Sequence, residues 1–191
     1  MLLLATELQL EQRVMITENP VTIHAALRRV MLVRSLIPLV WLVFALVYAR
    51  GNGREFLLRW KWILVAGLVV PVGLLLGFPE HVLEIPANGD GSVFRLLGGG
   101  KLWVIAMLLL TLAVLMNLEQ TFRASVGMSR WRIKYLFLGM VVIFGVKLYN
   151  QSQILLFSSY QPALANLGVL AVILGCLLIT CLLYTSDAAD E

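Results

Sequence analysis

Long apolar runs, separated by short charged loops, constrain this chain more than any other feature. A helix needs roughly 20 mostly apolar residues to cross a hydrocarbon core about 30 Å thick. Of the 191 residues, 60% are hydrophobic and 14% are charged, which leaves too little polar surface for a soluble domain. We therefore predict an all-α integral membrane protein, a bundle of about five transmembrane helices that occupies residues 30–180. The predicted spans are residues 30–49, 62–78, 102–116, 133–153 and 163–180.

The segment before the first span, residues 1–29, mixes charged and aliphatic residues at roughly helical spacing. Glu7 and Glu11 belong to it, and Asn19-Pro20 interrupts the pattern. Proline lacks a backbone N–H and breaks a helix interior, while the hydroxyl of Thr22 suits the start of a new helix. We expect an interfacial, extracytoplasmic helix that breaks near Pro20.

The distribution of Lys and Arg predicts the orientation, because cytoplasmic loops of membrane proteins carry an excess of both. Four lie in residues 50–61 and four in 118–134, against two in 79–101 and none in 148–163. This count places the start of the chain outside and its end in the cytoplasm. The residues that carry the assignment are Arg50, Arg54, Arg59, Lys61, Arg123, Arg130, Arg132 and Lys134.

Two features qualify this topology. Arg28, Arg29 and Arg34 fall on the predicted outer side of the first span, against the charge rule. An odd number of spans with an outer N-terminus also suggests that further helices precede Met1.

On the outer side, residues 81–96 alternate apolar and polar side chains around Asn88-Gly89-Asp90-Gly91. Asn and Gly tolerate the positive φ that tight hairpin turns require, so a short extracytoplasmic β-hairpin is predicted. The following Gly98-Gly99-Gly100 lacks the Lys-Ser/Thr of a phosphate-binding loop. A flexible turn into the third span is the favoured interpretation.

No catalytic site can be assembled from these residues. The two histidines, His24 and His81, have no neighbouring metal ligands or phosphoacceptor motif, and Cys176 and Cys181 are too few for a zinc site. Nucleophile–base pairs, carboxylate dyads and nucleotide-binding motifs are also lacking. We predict no catalytic residue, no metal and no cofactor. The basic residues lie beside apolar runs, which argues against a nucleic-acid surface.

Lys147, Asn150 and Gln151 share one helical face inside the fourth predicted span. Ionisable groups in spans usually face the bundle or a wet cavity, so these residues predict a polar ligand-binding or sensing pocket to which Arg34 contributes. Its expected counter-ions are Glu80, Glu84 or Asp90. The alternative is a lysine at a helix end whose ammonium extends to the outer interface.

The last eleven residues, 181–191, change character abruptly, since an acidic, small-residue end follows an apolar helix. They resemble the conceptual translation of a sequencing-library transposon adapter and are set aside for fold reasoning. The natural reading frame is then expected to be cut near Thr180, so that Cys181 is spurious and a downstream domain is lost.

Several helix-end and loop patterns resemble the N-terminal membrane region of PrsK-type histidine kinases, which accompany PEP-CTERM and exosortase exopolysaccharide systems in Gram-negative bacteria. The resembling stretches are PLVWLVFAL at 38–46, YARG at 48–51, REF at 54–56, NLEQTFR at 117–123 and RWRIKY at 130–135. The likeness spans nearly all of residues 30–180. In that family several membrane helices precede a GAF domain and a kinase core, which this chain lacks.

The resemblance implies that residues 30–180 form a sensor domain in a bacterial inner membrane, with a cytoplasmic C-terminus. It also implies a homodimer and a cytoplasmic response regulator as the kinase's partner, besides the lipid bilayer. Two alternatives stay open. One is a small transporter or permease fragment, favoured by Pro38 and Pro71 within the spans. The other is a membrane anchor for another cytoplasmic output, such as a nucleotide cyclase.

Overall fold

Helices dominate the structure, which is a computed structural model. It describes residues 2–16, 20–47, 53–77, 81–84, 94–124, 128–160 and 162–187. Within these ranges it contains six helices and three very short strands. In chain order they are α1 Leu2–Ile16, α2 Pro20–Val47, α3 Gly53–Gly77, β1 Leu83–Glu84, β2 Phe94–Leu96, α4 Gly98–Ala124, α5 Met128–Phe157, β3 Ser159–Tyr160 and α6 Pro162–Asp187.

Four helices contain stretches long and apolar enough to cross a membrane, judged over the described residues. They are Ala25–Val47, Leu57–Gly77, Gly98–Arg123 and Phe137–Phe157. The fifth predicted span corresponds to a shorter apolar stretch of α6, Asn166–Thr180. Large apolar side chains such as Val65 and Leu170 remain exposed on the outside of the bundle, which suits a hydrocarbon solvent. The predicted helical fold with transmembrane character is confirmed, while the count of five spans stays a prediction.

The core lies where α2, α4 and α5 meet. Ile37 and Leu42 of α2, Met107 of α4 and Phe144 of α5 are almost completely buried there. Trp41 packs edge-on against Phe144, with ring centroids 6.0 Å apart. Pro38 lies inside α2 without ending the helix, as neighbouring helices in a membrane bundle permit.

Two glycines let α5 and α6 approach each other closely. A Cβ added at Gly139 would lie 2.7 Å from the carbonyl oxygen of Gly175, and one added at Gly175 would collide with Ile143. Because lipid removes the hydrophobic drive for helix association, small residues that allow close backbone packing stabilise such contacts. These two helices are therefore firmly joined.

The three strands pair with one another and so bring two interhelical connections together at one end of the bundle. β1 pairs antiparallel with β2, with Leu83 opposite Leu96, and β2 pairs antiparallel with β3, with Phe94 opposite Tyr160. The α3–α4 and α5–α6 connections therefore meet. The predicted hairpin turn, at residues 85–93, lies outside the described residues and stays a prediction. β3 was not predicted, because a two-residue strand has no measurable period.

Two helices extend beyond the predicted spans, and one predicted turn is wrong. The third span is predicted to end at 116, whereas α4 continues to Ala124, and the fourth is predicted to begin at 133, whereas α5 begins at Met128. Most of the basic segment 118–134 is thus helical. The predicted flexible turn at residues 98–100 is the first turn of α4, where a Cβ on Gly100 would collide with the carbonyl of Val82. Close packing, and not flexibility, explains the glycine there.

Candidate functional site

A carboxylate lies between two cations from different helices. Arg34 Nε of α2 donates to Glu7 Oε1 at 2.8 Å. Lys147 Nζ of α5 donates to both carboxylate oxygens, at 2.8 Å to Oε1 and 2.6 Å to Oε2. Glu7 itself belongs to α1 and is only 2% exposed. We call these three residues the charged cluster, and it joins α1, α2 and α5.

Helical periodicity places each member of the charged cluster. On α1, Leu4 and Glu7 are buried on one face, and Leu3 and Leu10 pack beside them. On α5, Lys147 follows the buried Phe144 and precedes the buried Gln151 at the spacing of one turn. Because Glu7 and Lys147 share a helix face with buried apolar residues, packing of these faces places the charged groups inside the bundle.

Electrostatics favour the ionised form of Glu7, which lies on a helix outside the four stretches that are long and apolar enough to cross a membrane. Burial acts to raise the pKa of the carboxyl, but the positive charges of Lys147 and Arg34 and their hydrogen bonds outweigh it. The pKa of Glu7 is consequently held below its ordinary value. The pairing contributes stability above the ordinary carboxyl pKa, and this contribution is lost as the pH falls through the lowered one.

A small cavity adjoins the charged cluster, with a volume of about 50 Å³. That volume has room for a few water molecules, each of which needs at least about 10–15 Å³. Polar and apolar groups both face it. Its polar lining consists of the charged cluster, Thr111, Asn150 and Gln151, and its apolar lining includes Pro38, Phe144 and Ile154.

Two carbonyl oxygens in the cavity lining are buried without a hydrogen-bond partner, Asn150 Oδ1 and Gln151 Oε1. The amide nitrogen of Asn150 donates to the Leu164 carbonyl of α6 at 2.9 Å, which fixes the orientation of that amide. Unpaired buried polar atoms are rare in native proteins and often mark a place where water, an ion or a ligand binds. The cavity is thus incompletely satisfied by the protein alone.

Comparison of the chain with protein-family models, with curated proteins and with solved structures gave no match.

The predicted pocket residues are brought together. Lys147, Asn150, Gln151 and Arg34 all line the one cavity, although its role in sensing stays a prediction. The ammonium of Lys147 points inward to Glu7, which disfavours the alternative of a lysine extended to the interface.

The described counter-ion of Arg34 and Lys147 is Glu7, and the counter-ions expected from the hairpin stay a prediction. Glu7 pairs with both cations, whereas Glu80, Asp90 and the side chain of Glu84 lie outside the described residues. Sequence reasoning missed Glu7 because its partners are 27 and 140 residues away. Its spacing three residues after the buried Leu4 is the one local signal that could have indicated an inward position.

The residues that carried the topology prediction are described only in part. Arg59 and Arg123 are exposed, and Arg123 forms a surface ion pair with Glu119 at 2.6 Å, of a kind worth about 0.3–0.5 kcal/mol. Arg50 and the side chains of Arg54, Arg130, Arg132 and Lys134 lie outside what the structure describes. Within the described ranges, no group of three His, Cys, Asp or Glu residues could hold a metal ion.

Proposed function

We propose that this chain is the membrane-embedded input region of a sensor histidine kinase, and that the charged cluster is its sensing site. One observation carries the proposal: Glu7 holds α1, which is outside the membrane-spanning stretches, to Arg34 and Lys147 of two helices that span. Charged groups inside a membrane bundle are costly and usually functional. A cluster that joins three helices also couples their positions.

The coupling supplies a mechanism with two states. A signal that weakens the hold of Glu7 on Lys147 changes the packing of α1 against α2 and α5. Because α5 and α6 are joined at Gly139 and Gly175, a shift of α5 is transmitted to α6. The chain leaves the bundle through α6, so the shift would bias a kinase domain attached there between two arrangements.

The topology is part of the proposal. It comprises five spans, an outer hairpin, an outer N-terminus and a C-terminus in the cytoplasm of a bacterium, where ATP is available to a kinase. The position of Arg34 supports this orientation. Since its guanidinium is committed to Glu7 inside the bundle, it does not count as a free charge of an outer loop.

The partners follow from the resemblance of residues 38–56 and 117–135 to PrsK-type kinases. They are a GAF domain and a kinase core after residue 180, a second copy of the chain and a cytoplasmic response regulator. The pathway would be one linked to exopolysaccharide and PEP-CTERM protein sorting.

One observation favours a transporter as the second candidate. Pro38 lines the cavity in the middle of α2, and transporter substrate sites commonly lie beside interrupted helices. However, α2 continues through Pro38 without a break, which makes this the weaker proposal.

The test begins with genomic DNA downstream of codon 180. Kinase motifs there support the leading proposal, a cyclase domain supports a different output, and an early stop codon supports a transporter. The complete protein, in membrane vesicles, is then assayed for autophosphorylation from ATP. Lys147→Met should insert normally but abolish the response to signal, because Glu7 loses one of the two cations with which it forms an ion pair.

Lys101→Met is the matched control, since Lys101 is an exposed lysine at the start of α4, outside the charged cluster. It should behave as the unaltered protein. If Lys147→Met inserts and signals as Lys101→Met does, the charged cluster is not the sensing site.

A further inference from the structure

Two buried amide oxygens line the cavity from neighbouring positions of α5. Within the described part of the chain, Asn150 Oδ1 and Gln151 Oε1 have no hydrogen-bond donor, and Gln151 is only 9% exposed. The amide of Asn150 cannot turn around without losing the bond from its nitrogen to the Leu164 carbonyl. Both oxygens therefore need donors from a molecule that enters the cavity.

Lys147 supplies the complementary group, one turn before these amides on the same face of α5. Its ammonium has three N–H donors, and its described hydrogen bonds lead to the two oxygens of Glu7. Two donors suffice for these bonds. The third N–H can therefore donate to an acceptor inside the cavity.

The remaining walls of the cavity are mostly apolar. Pro38, Phe144 and Ile154 line it, and their side chains form no hydrogen bonds. The volume of about 50 Å³ has room for about three to five non-hydrogen atoms, if each takes the space of one water molecule. A ligand that fits these walls has two donors and one acceptor at one end and a short apolar group at the other.

Few small molecules meet these requirements. Water has the donors, but several water molecules would have to lie against Pro38, Phe144 and Ile154, which offer them no partner. Carboxylates and ketones lack donors, and a simple alcohol has only one. A metal cation would lie beside the ammonium of Lys147, which repels it. A primary amide has two N–H donors, a carbonyl acceptor and an apolar end.

We infer that the cavity binds a small neutral primary amide, with acetamide as the simplest probe. Its NH2 group donates to Asn150 Oδ1 and Gln151 Oε1, its carbonyl accepts from Lys147, and its methyl group contacts the apolar wall. Because this ligand is uncharged, its recognition does not depend on the net charge of the charged cluster. The inference rests on the proposed function, since it names the ligand class of the proposed sensing site.

The test compares three molecules of one shape that differ in a single group. Acetamide, acetone and acetate share an acetyl group and carry NH2, CH3 and O⁻ respectively. Each is titrated at neutral pH and constant ionic strength into the full chain in lipid nanodiscs, and empty nanodiscs correct for partition into lipid. Calorimetry should show saturable binding of acetamide. Acetone and acetate should bind at least about tenfold more weakly, a difference of about 1.4 kcal/mol, because both acceptors stay unpaired.

Gln151→Met tests the polar end of the site. It removes one acceptor, so it should weaken acetamide about tenfold and leave acetone unchanged. Gln153→Met is the matched control, because Gln153 lies on the same helix but does not line the cavity. It should bind acetamide as the unaltered chain does.

Gly168→Ala tests the volume of the site and serves as the readout if Gln151→Met does not fold. Gly168 lines the cavity, and a Cβ added there meets only Asn150 Nδ2, at an ordinary contact distance of 3.7 Å. The variant should therefore fold, while its methyl group occupies space that acetamide needs and weakens binding. Gly145→Ala is the control, since a Cβ on Gly145 of α5 meets nothing within 4 Å and this glycine does not line the cavity.

Three results would overturn the inference. Tighter binding of acetate would show an anion site, equal binding of all three molecules would show no recognition of the amide, and no binding would leave a cavity filled by water only. Failure of the inference is separable from failure of the proposed function. Loss of signalling in Lys147→Met without acetamide binding would remove the ligand class alone. Acetamide binding together with normal signalling in Lys147→Met would remove the sensing role alone.

Discussion

Two buried polar regions of this bundle differ in how their hydrogen bonds are made. Near the end of α4, Asn117 and Thr121 each donate to a carbonyl one turn earlier in the same helix, at 2.9 and 2.8 Å. In the charged cluster the bonds run between helices, and two neighbouring acceptors stay unpaired. The first arrangement makes polar residues compatible with a helix in lipid. In the second arrangement, protonation of Glu7 or binding of a ligand can weaken the ion pairs that hold the helices together.

The largest effect is expected from Glu7→Gln. This substitution removes the buried carboxylate that pairs with the partly buried Arg34 and Lys147, and removal of one partner from a buried ion pair costs about 3–5 kcal/mol. Thermal unfolding in nanodiscs, followed by tryptophan fluorescence, measures the loss. Glu119→Gln breaks the exposed pair with Arg123 and is the control, with an expected loss of at most about 0.5 kcal/mol. Similar losses of stability in both variants would contradict the expectation that the buried ion pair contributes more than the exposed one.

A smaller, graded loss is expected from acidification. Because the pKa of Glu7 lies below its ordinary value, the stability that its pairing contributes should be constant above the ordinary carboxyl pKa and should fall as the pH drops through the lowered one. Unfolding temperatures across an acidic pH series measure this loss. Glu7→Gln should flatten that part of the profile, and an unchanged slope in the variant would assign the pH dependence to other carboxyls.

The smallest effect is expected from Thr121→Val. The hydroxyl bonds within its own helix and approaches the Ala45 carbonyl at 3.5 Å, and its loss leaves helical backbone bonds in place. Side-chain hydrogen bonds in membrane bundles average about 0.6 kcal/mol, which sets the expected cost. The same unfolding assay applies. A loss as large as that of Glu7→Gln would show that α4 is also an interhelical anchor.

The sequence predicts the helical bundle well because apolar runs of membrane length leave few alternatives. The sequence does not predict where helices end. Polar residues such as Asn117 and Thr121 are buried near the end of α4 because their side chains donate to carbonyls of the same helix. The pocket was partly predictable, since Lys147, Asn150 and Gln151 share a face through local spacing alone. Glu7 was not, because its pairing across 140 residues is decided by tertiary packing.

The most direct test of the account is a double-mutant cycle between Glu7 and Lys147, with Glu7→Gln and Lys147→Met measured singly and together by free energy of unfolding in nanodiscs. Interacting pairs show coupling energies of about 0.5–3 kcal/mol, whereas independent sites add to within about 0.3–0.5 kcal/mol. The account predicts that Lys147→Met costs at least about 1 kcal/mol less when Glu7 is already Gln. Additive losses would contradict it, because α1 would then be held by apolar packing and not by the charged cluster.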